Sequence, residues 1–165
     1  MSHSIRLVTA SPEETQEVGR AIGRQALPGD ILLLTGPLGA GKTCLTQGIA
    51  WGLDVVEYAR SPTFVIMTRY RGRLPVYHFD LYRIESSREA WDLGLEEQLF
   101  GQGVCVVEWA DRAADIFPET ARWIDLDYGP EESQRVITFK EPPPRLRQAL
   151  ATFPGATPVD DAVET

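Results

Sequence analysis

The sequence has few cysteines and no long apolar segment, and both absences narrow the class of protein. Only two cysteines, Cys44 and Cys105, occur in 165 residues; a disulfide framework needs more of them, and their spacing fits no metal-ligand pattern. No apolar segment approaches the roughly 18 residues of a membrane-spanning helix, and the N-terminus lacks the charged-then-apolar order of a signal peptide. We therefore expect a globular protein of the reducing cytoplasm, with no membrane partner.

Basic residues are also scarce. Lysine and arginine number 16 against 24 aspartates and glutamates, which gives a net charge of −8. Proteins that bind nucleic acid on their own usually present a basic face that neutralises phosphates. Arg69, Arg71 and Arg73 could form a small basic tip, although a solvated turn explains the same cluster. Direct binding of RNA or DNA is therefore disfavoured, and protein partners are favoured.

The sequence does contain a phosphate-binding pattern. Residues 36–43 read GPLGAGKT and fill the motif G-x-x-x-x-G-K-[ST], after an apolar, β-rich run at 30–35 and before a helical run at 44–53. Glycines let the backbone N–H groups of such a loop face phosphate oxygens, and the N-terminal end of the following helix adds to the attraction. Lys42 is expected to reach the β- and γ-phosphates, and the Thr43 hydroxyl to hold Mg²⁺.

The remaining pattern predicts strands and helices around this loop. A short strand at 5–9 precedes a helix that is capped by Ser11 and has Pro12 at its first position. The inward stripe of that helix is predicted to comprise Val18, Ala21, Ile22 and Leu27. Short helices are expected at 86–92 and 95–100, and a buried strand at 103–108.

Two antiparallel hairpins complete the predicted fold. The runs 63–70 and 74–79 flank Arg-Gly-Arg, and the runs 123–128 and 135–140 turn at Gly129-Pro130. We therefore expect an α/β P-loop NTPase sandwich, with a central mixed sheet to which antiparallel hairpins are added. The P-loop domain is predicted to cover residues 1–141. Residues 142–165 are predicted to form a Pro-rich, partly mobile tail, with a possible short helix at 145–151.

Two carboxylates at the ends of apolar runs are candidates for hydrolysis chemistry. Glu108 ends VCVVE, which has the form of a Walker B segment whose acid holds Mg²⁺ directly or through water. Asp80 ends VYHFD and could orient an attacking water or add to the metal shell. Either acid could instead be a strand-end carboxylate in solvent. His78, within the same run, is expected to be a packed or hydrogen-bonded residue.

Two further features have both a functional and a plain structural interpretation. Ser61-Pro62-Thr63 follows the P-loop helix, where a switch loop could close on the γ-phosphate, but Ser-Pro is also a common turn. Trp109 directly follows Glu108. It could form a wall beside the phosphates or simply pack in the core.

Together these motifs resemble the bacterial TsaE (formerly YjeE) family, the ATPase component of the system that makes threonylcarbamoyladenosine in tRNA. The matching motifs, in the family's order and spacing, are LGAGKT at 38–43, SPTF at 61–64, YHFDLYR at 77–83, DLGLEE at 92–97 and VVEWA at 106–110. LGAGKT alone is common to P-loop proteins, whereas its combination with the other motifs is specific. The resemblance extends from about residue 5 to residue 140 and excludes the tail.

The resemblance implies a set of site residues. The ATP phosphates would be held by Leu38, Gly39, Ala40, Gly41, Lys42 and Thr43. Lys42, Asp80 and Glu108 would be catalytic, and Thr43 with Glu108 would ligate Mg²⁺.

The resemblance also implies roles around the rim of the loop. Thr63 would lie in a switch-like loop, and Trp109 beside the phosphates. The base would lie near Ser11 at one side and near Arg135 at the other. Pro37 stands where family members usually carry an acid, which puts in doubt any metal or partner contact made there.

The implied role is a weak ATPase that is stimulated by the TsaB–TsaD pair, with tRNA met only indirectly. TsaD transfers threonylcarbamoyl to adenosine 37 of tRNAs that read codons beginning with A. One alternative is a P-loop small-molecule kinase, but Arg83 and Arg88 are the only plausible donors near Asp80 and no long lid is evident. A second alternative is a nucleotide-sensing adaptor with no useful turnover.

Overall fold

Eight strands form one mixed sheet in the computed structural model, which describes residues 3–59 and 67–160. The strands are β1 (His3–Thr9), β2 (Ile31–Thr35), β3 (Met67–Tyr70), β4 (Val76–Asp80), β5 (Val104–Glu108), β6 (Arg122–Tyr128), β7 (Arg135–Phe139) and β8 (Thr157–Asp160). The helices are α1 (Pro12–Arg24), α2 (Lys42–Gly52), α3 (Ser87–Asp92), α4 (Leu95–Leu99) and α5 (Pro144–Ala151), and a 3-10 segment covers Ala110–Ile116.

The strand order places the P-loop strand at the centre of the sheet. The order is β3-β4-β5-β2-β6-β7-β1-β8, and β2 pairs in parallel with both β5 and β6. β4 is also parallel to β5, whereas the outer pairings, β3–β4, β6–β7, β7–β1 and β1–β8, are antiparallel. This arrangement confirms the predicted α/β fold with added hairpins. The carboxyl ends of β2, β4 and β5 therefore lie at one edge of the sheet, where ligands of such folds bind.

Both faces of the central strands are covered, which explains the unbroken apolar run of β2. Leu32 and Leu34 belong to the cluster that packs under α1 and α2, whereas Ile31 and Leu33 belong to the cluster on the opposite face, under α3 and α4. Successive side chains of a strand point to opposite faces, so a strand buried on both sides needs apolar residues throughout.

Glycines bring α1 and α2 into close contact. A Cβ atom added at Gly48 would lie 2.1 Å from the carbonyl oxygen of Gln16, and one added at Gly23 would lie 2.1 Å from that of Ile49. No side chain fits at those distances. The pair of helices is thereby fixed against the sheet, and α2 is held where it follows the phosphate-binding loop.

The start of α1 is confirmed, but its predicted inward stripe is wrong at one end. The Ser11 side chain accepts a hydrogen bond from the Glu14 N–H at 3.2 Å, and Pro12 is the first helical residue. The helix ends at Arg24, so Leu27 lies beyond it and is 50% exposed. The turn after the helix is closed by Asp30, whose carboxylate accepts from the Leu27 N–H at 2.9 Å.

The first hairpin is present, but its second strand begins two residues later than predicted. β3 and β4 pair antiparallel, and β4 begins at Val76 rather than at Leu74. The Arg73 N–H donates to the Leu53 carbonyl at 2.6 Å, and Pro75 has no N–H to offer a ladder. The predicted start of this hairpin, at 63–66, lies outside the described residues.

Part of the segment after Pro142 has regular secondary structure, since residues 144–160 contain a helix and a strand. The predicted short helix is confirmed as α5, in which Leu146 and Leu150 are buried in the main apolar cluster. β8 then pairs antiparallel with β1 at the edge of the sheet. Leu146 and Leu150 form an apolar i, i+4 pair, which is a helix-face signal. The division of the chain at residue 142 stays a prediction.

Across residues 3–59 and 67–160, none of the helices has the length and the apolar content that crossing a bilayer requires.

Candidate active site

The predicted phosphate loop joins β2 to α2 and has a backbone that only glycine adopts readily. Gly36, Gly39 and Gly41 have φ angles of 136°, 79° and 105°, in the left-handed region. At Gly36 there is no room for a side chain in any case, because a Cβ would lie 2.1 Å from the Leu126 carbonyl oxygen. The loop thus turns sharply off the end of β2 and delivers Lys42 as the first residue of α2.

Lys42 is drawn into this loop. Its ammonium group donates to the carbonyls of Gly36 at 2.6 Å and Pro37 at 2.8 Å, and Nζ lies 3.9 Å from the centroid of the Trp109 ring. Burial lowers the pKa of Lys42 from its usual value, and the nearby carboxylates of Glu108 and others oppose that shift. The departure at Pro37 therefore leaves a backbone contact in place, because it is the carbonyl that receives the lysine.

Thr43, Glu108 and His78 form a hydrogen-bonded chain beneath the loop. The Thr43 hydroxyl donates to Glu108 Oε1 at 2.9 Å, and His78 Nε2 hydrogen-bonds to Glu108 Oε2. Glu108 is 2% exposed and His78 is fully buried. The simple alternative of a solvent-facing carboxylate is therefore wrong for Glu108, and His78 is hydrogen-bonded as expected.

Asp80 lies beside Glu108 at the same edge of the sheet. The two residues are register partners on β4 and β5. Asp80 is half-buried, and its Oδ1 accepts a hydrogen bond from the Tyr82 N–H at 2.9 Å. The structure thus brings together both predicted acids, although their catalytic roles stay predictions.

A cleft of about 360 Å³ runs along this edge. Its lining residues are Leu38, Gly39, Gly41, Lys42, Thr43, Cys44, Asp80, Tyr82, Glu108 and Trp109. Ala40 is the exception among the predicted loop residues: its side chain is buried in the apolar core, and its N–H donates to the Pro37 carbonyl at 3.2 Å. The loop would therefore use Ala40 only through its backbone.

The donors in the cleft suit Mg²⁺ bound together with a nucleotide. The Thr43 hydroxyl and the Glu108 carboxylate are hard oxygen ligands, and Mg²⁺ in proteins usually completes its shell with waters and substrate phosphates. Over the described part of the chain, no group of three or more His, Cys, Asp or Glu side chains could hold a metal alone. A magnesium ion held here by Thr43 and Glu108 would take its remaining ligands from waters and substrate phosphates.

Trp109 packs in the core, as one interpretation expected, and its role as a wall beside the phosphates stays a prediction. It packs against the apolar cluster under α3 and α4, and it also lines the cleft. Its φ angle of 57° turns the chain sharply at the end of β5. The ring centroids of Trp109 and Tyr82 are 4.8 Å apart, and the Arg112 guanidinium lies 5.6 Å from each ring.

The predicted base-binding residues differ in their position. The Arg135 Nε donates to the Gly39 carbonyl at 3.3 Å, and the Tyr128 hydroxyl donates to the Leu38 carbonyl, so the β6–β7 hairpin contacts the outer side of the loop. Neither Arg135 nor Ser11 is among the residues that line the cleft, and the Ser11 side chain caps α1. Their contacts with a base stay predictions. Thr63, in the predicted switch loop, lies outside the described residues.

The comparisons with known proteins agree on one family. The profile described as "Threonylcarbamoyl adenosine biosynthesis protein TsaE" matches residues 9–137. The chain belongs to the TsaE family. Relatives named tRNA threonylcarbamoyladenosine biosynthesis protein TsaE include one from Bacillus subtilis, 45% identical over 132 residues, and one from Treponema pallidum, 42% identical over 122 residues. These alignments cover 79% of this chain and 82% of the first relative, and 74% of this chain and 90% of the second.

A solved structure supports the same assignment. The crystal structure of YdiB from Bacillus subtilis matches with a TM-score of 0.76 and 37% identity, over 90% of this chain and 93% of that one. The resemblance stated from the motifs is therefore confirmed. Members of the TsaE family take part in the biosynthesis of threonylcarbamoyladenosine in tRNA.

Three residues at or beside the cleft of this TsaE-family chain were not predicted from its sequence. Tyr82 belongs to the YHFDLYR motif and could have been found there, two residues after Asp80. Arg112 and Tyr128 carry no motif signal. Arg112 lies against the Trp109 ring because of the turn at Trp109, and Tyr128 hydrogen-bonds to the loop because β6 pairs with β2.

Proposed function

We propose that this TsaE-family protein is a Mg²⁺-dependent ATPase of threonylcarbamoyladenosine biosynthesis. The observation that carries the proposal is the meeting of a glycine loop, Lys42 and Thr43 with two carboxylates, Asp80 and Glu108, in one cleft. A loop alone would account for nucleotide binding. The acids at its mouth supply what hydrolysis needs in addition, namely metal ligands and a group that orients water.

Each residue then has a distinct task. The loop N–H groups and the Lys42 ammonium bind the phosphate oxygens, because charge-assisted hydrogen bonds to phosphate are strong. Thr43 and Glu108 would hold Mg²⁺, and the ion would supply positive charge that offsets the charge developing on the phosphates. Asp80, half-buried beside Glu108, orients the attacking water. Trp109 and Tyr82 form a wall that limits access of bulk water.

The partners that we propose are TsaB and TsaD. The net charge of −8 favours docking on proteins over gripping RNA, which the chain would meet only through the complex. We propose slow hydrolysis by the protein alone, stimulation by the TsaB–TsaD pair, and resetting of that pair between transfers to adenosine 37 of tRNAs that read codons beginning with A. The place of action is the cytoplasm.

The test is ATP hydrolysis by the protein alone and with TsaB and TsaD, in Mg²⁺ and in EDTA. We expect slow turnover alone, faster turnover with both partners and none in EDTA. Label from the γ-phosphate that appears on a sugar or nucleoside would establish the kinase alternative. Arg88 pairs with Asp92 on the surface of α3 and neither it nor Arg83 lines the described cleft, which disfavours that outcome.

Asp80→Asn separates hydrolysis from binding. The substitution removes the charge that orients water but leaves the loop intact, so stimulated turnover should fall by at least about 100-fold while ATP affinity stays within about two-fold. Asp54→Asn, an exposed aspartate at the far end of α2, is the matched control and should change neither. Equal loss of binding and turnover would make Asp80 a binding residue. If Asp80→Ala and Glu108→Ala leave partner-dependent modification untouched, the protein is an adaptor.

A further inference from the structure

We propose that His78 is a positioning residue, which fixes the Glu108 carboxylate so that its other oxygen serves Thr43 and Mg²⁺. This inference rests on the proposed function. His78 Nε2 hydrogen-bonds to Glu108 Oε2, and Glu108 Oε1 accepts from the Thr43 hydroxyl at 2.9 Å. The two oxygens of one carboxylate are thereby divided between a buried imidazole below and the cleft above.

The strand pairing places His78 and Glu108 in reach of each other. Asp80 and Glu108 are register partners, so His78, two residues earlier on β4, stands diagonally from Glu108 on the same face of the sheet. That face is covered by α2, which supplies Thr43 in its first turn. The contact therefore follows from the backbone and does not depend on an exposed, mobile side chain.

The extra methylene of glutamate explains why the Glu108 carboxylate needs a positioning contact. Walker B segments usually end in aspartate, and glutamate has one more rotatable bond, whose freedom must be lost when the carboxylate holds a metal. A hydrogen bond from a buried donor fixes that torsion before the metal arrives. Partners of this kind, which orient a metal ligand without touching the metal, typically change metal affinity by about 10- to 100-fold when they are removed.

Packing alone does not explain a histidine at this position. Its β4 neighbour on the same face, Val76, and its register partner, Val106, are both apolar and fully buried. His78 Nδ1 is buried without a hydrogen-bond partner in the described structure, as are the amide atoms of Gln47, one turn after Thr43 on α2. Buried polar atoms without partners destabilise a fold, so their presence beneath the cleft indicates a role for the hydrogen bond between His78 and Glu108.

The test is a comparison of His78→Leu with His78→Gln. Leucine fills the space without a donor, whereas the glutamine amide nitrogen can occupy the place of Nε2. ATP affinity is measured by calorimetry in Mg²⁺ and in EDTA, and the ratio of the two is the Mg²⁺ gain. We expect the Mg²⁺ gain of His78→Leu to be smaller than that of the wild type by about 10-fold or more, with little change in its ATP affinity in EDTA. His78→Gln should keep most of the gain. Tyr77→Phe, on the opposite face of β4, is the control for disturbance of the strand.

Each outcome decides the matter. An undiminished Mg²⁺ gain in His78→Leu overturns the positioning role, although the ATPase proposal survives. If the wild-type protein binds no ATP in either condition, the proposed function fails and the inference fails with it. Should His78→Leu not fold, His78→Asn replaces it, since its shorter amide reaches only the place of Nδ1. Loss of the gain in His78→Asn but not in His78→Gln supports the role, and equal gains in both contradict it.

Discussion

At the scale of single residues, we expect phosphate binding in the cleft to depend on Lys42, whose ammonium group contacts two backbone carbonyls and an aromatic ring. Lys42 donates to Gly36 and Pro37 and lies over Trp109. Burial lowers the pKa of Lys42, because removal from water disfavours the ammonium form. A triphosphate entering the loop would bring phosphate oxygens to which the Lys42 ammonium could donate.

Lys42→Ala should therefore weaken ATP binding on the order of 10- to 100-fold, the range expected for loss of a charged hydrogen bond. Calorimetry in Mg²⁺ measures the effect. Lys140→Ala removes the only other lysine of the chain, which is exposed and does not line the cleft, and should leave the affinity unchanged. Unchanged affinity in Lys42→Ala would refute the assignment of the loop.

The two cysteines report on the site and on the core separately. Cys44 lines the cleft, whereas Cys105 is 1% exposed in β5, where burial raises the pKa of its thiol to about 12. Because only thiolates react, Cys105 should stay unmodified by a maleimide at pH 8 until the protein unfolds. Burial also raises the pKa of Cys44, so its labelling should be slow and should become several-fold slower with Mg-ATP.

Mass spectrometry of the labelled peptides distinguishes the two sites. Labelling of Cys44 at the same rate with and without saturating nucleotide would place the ligand elsewhere. Rapid labelling of Cys105 in the folded protein would contradict the burial of β5.

At the scale of elements, the close packing of α1 on α2 keeps the phosphate-binding loop in position at the cleft. Gly48→Ala would force a Cβ against the Gln16 carbonyl oxygen, at 2.1 Å from it. Gly→Ala in an open helix position stabilises by about 1 kcal/mol, but overpacking at this contact should lower the free energy of unfolding by about 1–3 kcal/mol. Urea denaturation measures the change. An equal or higher midpoint with an unchanged slope would show that the helices can separate without loss.

Elements defined by contiguous residues could be predicted from the sequence. The strand, glycine loop and helix around Lys42 follow one another in the chain, and Ser11-Pro12 marks the start of α1 by local chemistry. The apolar runs that end in Asp80 and Glu108 likewise placed both acids at strand ends, and the parallel pairing of β4 with β5 then makes them neighbours.

Elements that depend on distant contacts could not be predicted. Leu27 would have extended the apolar stripe of α1, but the turn that Asp30 closes takes it to the surface. β8 is a short, partly exposed strand that exists because the edge of β1 offers it a partner. Arg112 is placed by the turn at Trp109, and Tyr128 by the sheet order, neither of which a single sequence specifies. Tertiary contacts of this kind routinely override local preference.

At the scale of the whole molecule, the net negative charge disfavours binding of nucleic acid, although the loop is suited to binding the phosphates of a nucleotide. With a net charge of −8, the protein should bind unmodified tRNA no more tightly than the non-specific range of about 10⁻⁴ to 10⁻⁶ M at physiological salt. Fluorescence anisotropy with labelled tRNA measures this affinity. Addition of TsaB and TsaD is the positive control, in which we expect tRNA to bind. Sub-micromolar binding by the chain alone would contradict an indirect role.

The central claim is that Mg-ATP occupies the glycine loop with Glu108 and Asp80 facing its phosphates. A crystal structure with Mg²⁺ and a non-hydrolysable ATP analogue tests it most directly. We expect the phosphates within hydrogen-bond distance of the loop N–H groups and Lys42, and a metal ion that contacts the Thr43 hydroxyl with Glu108 directly or through water. An empty loop at saturating analogue, or a nucleotide bound elsewhere with both acids turned away from it, would contradict the account.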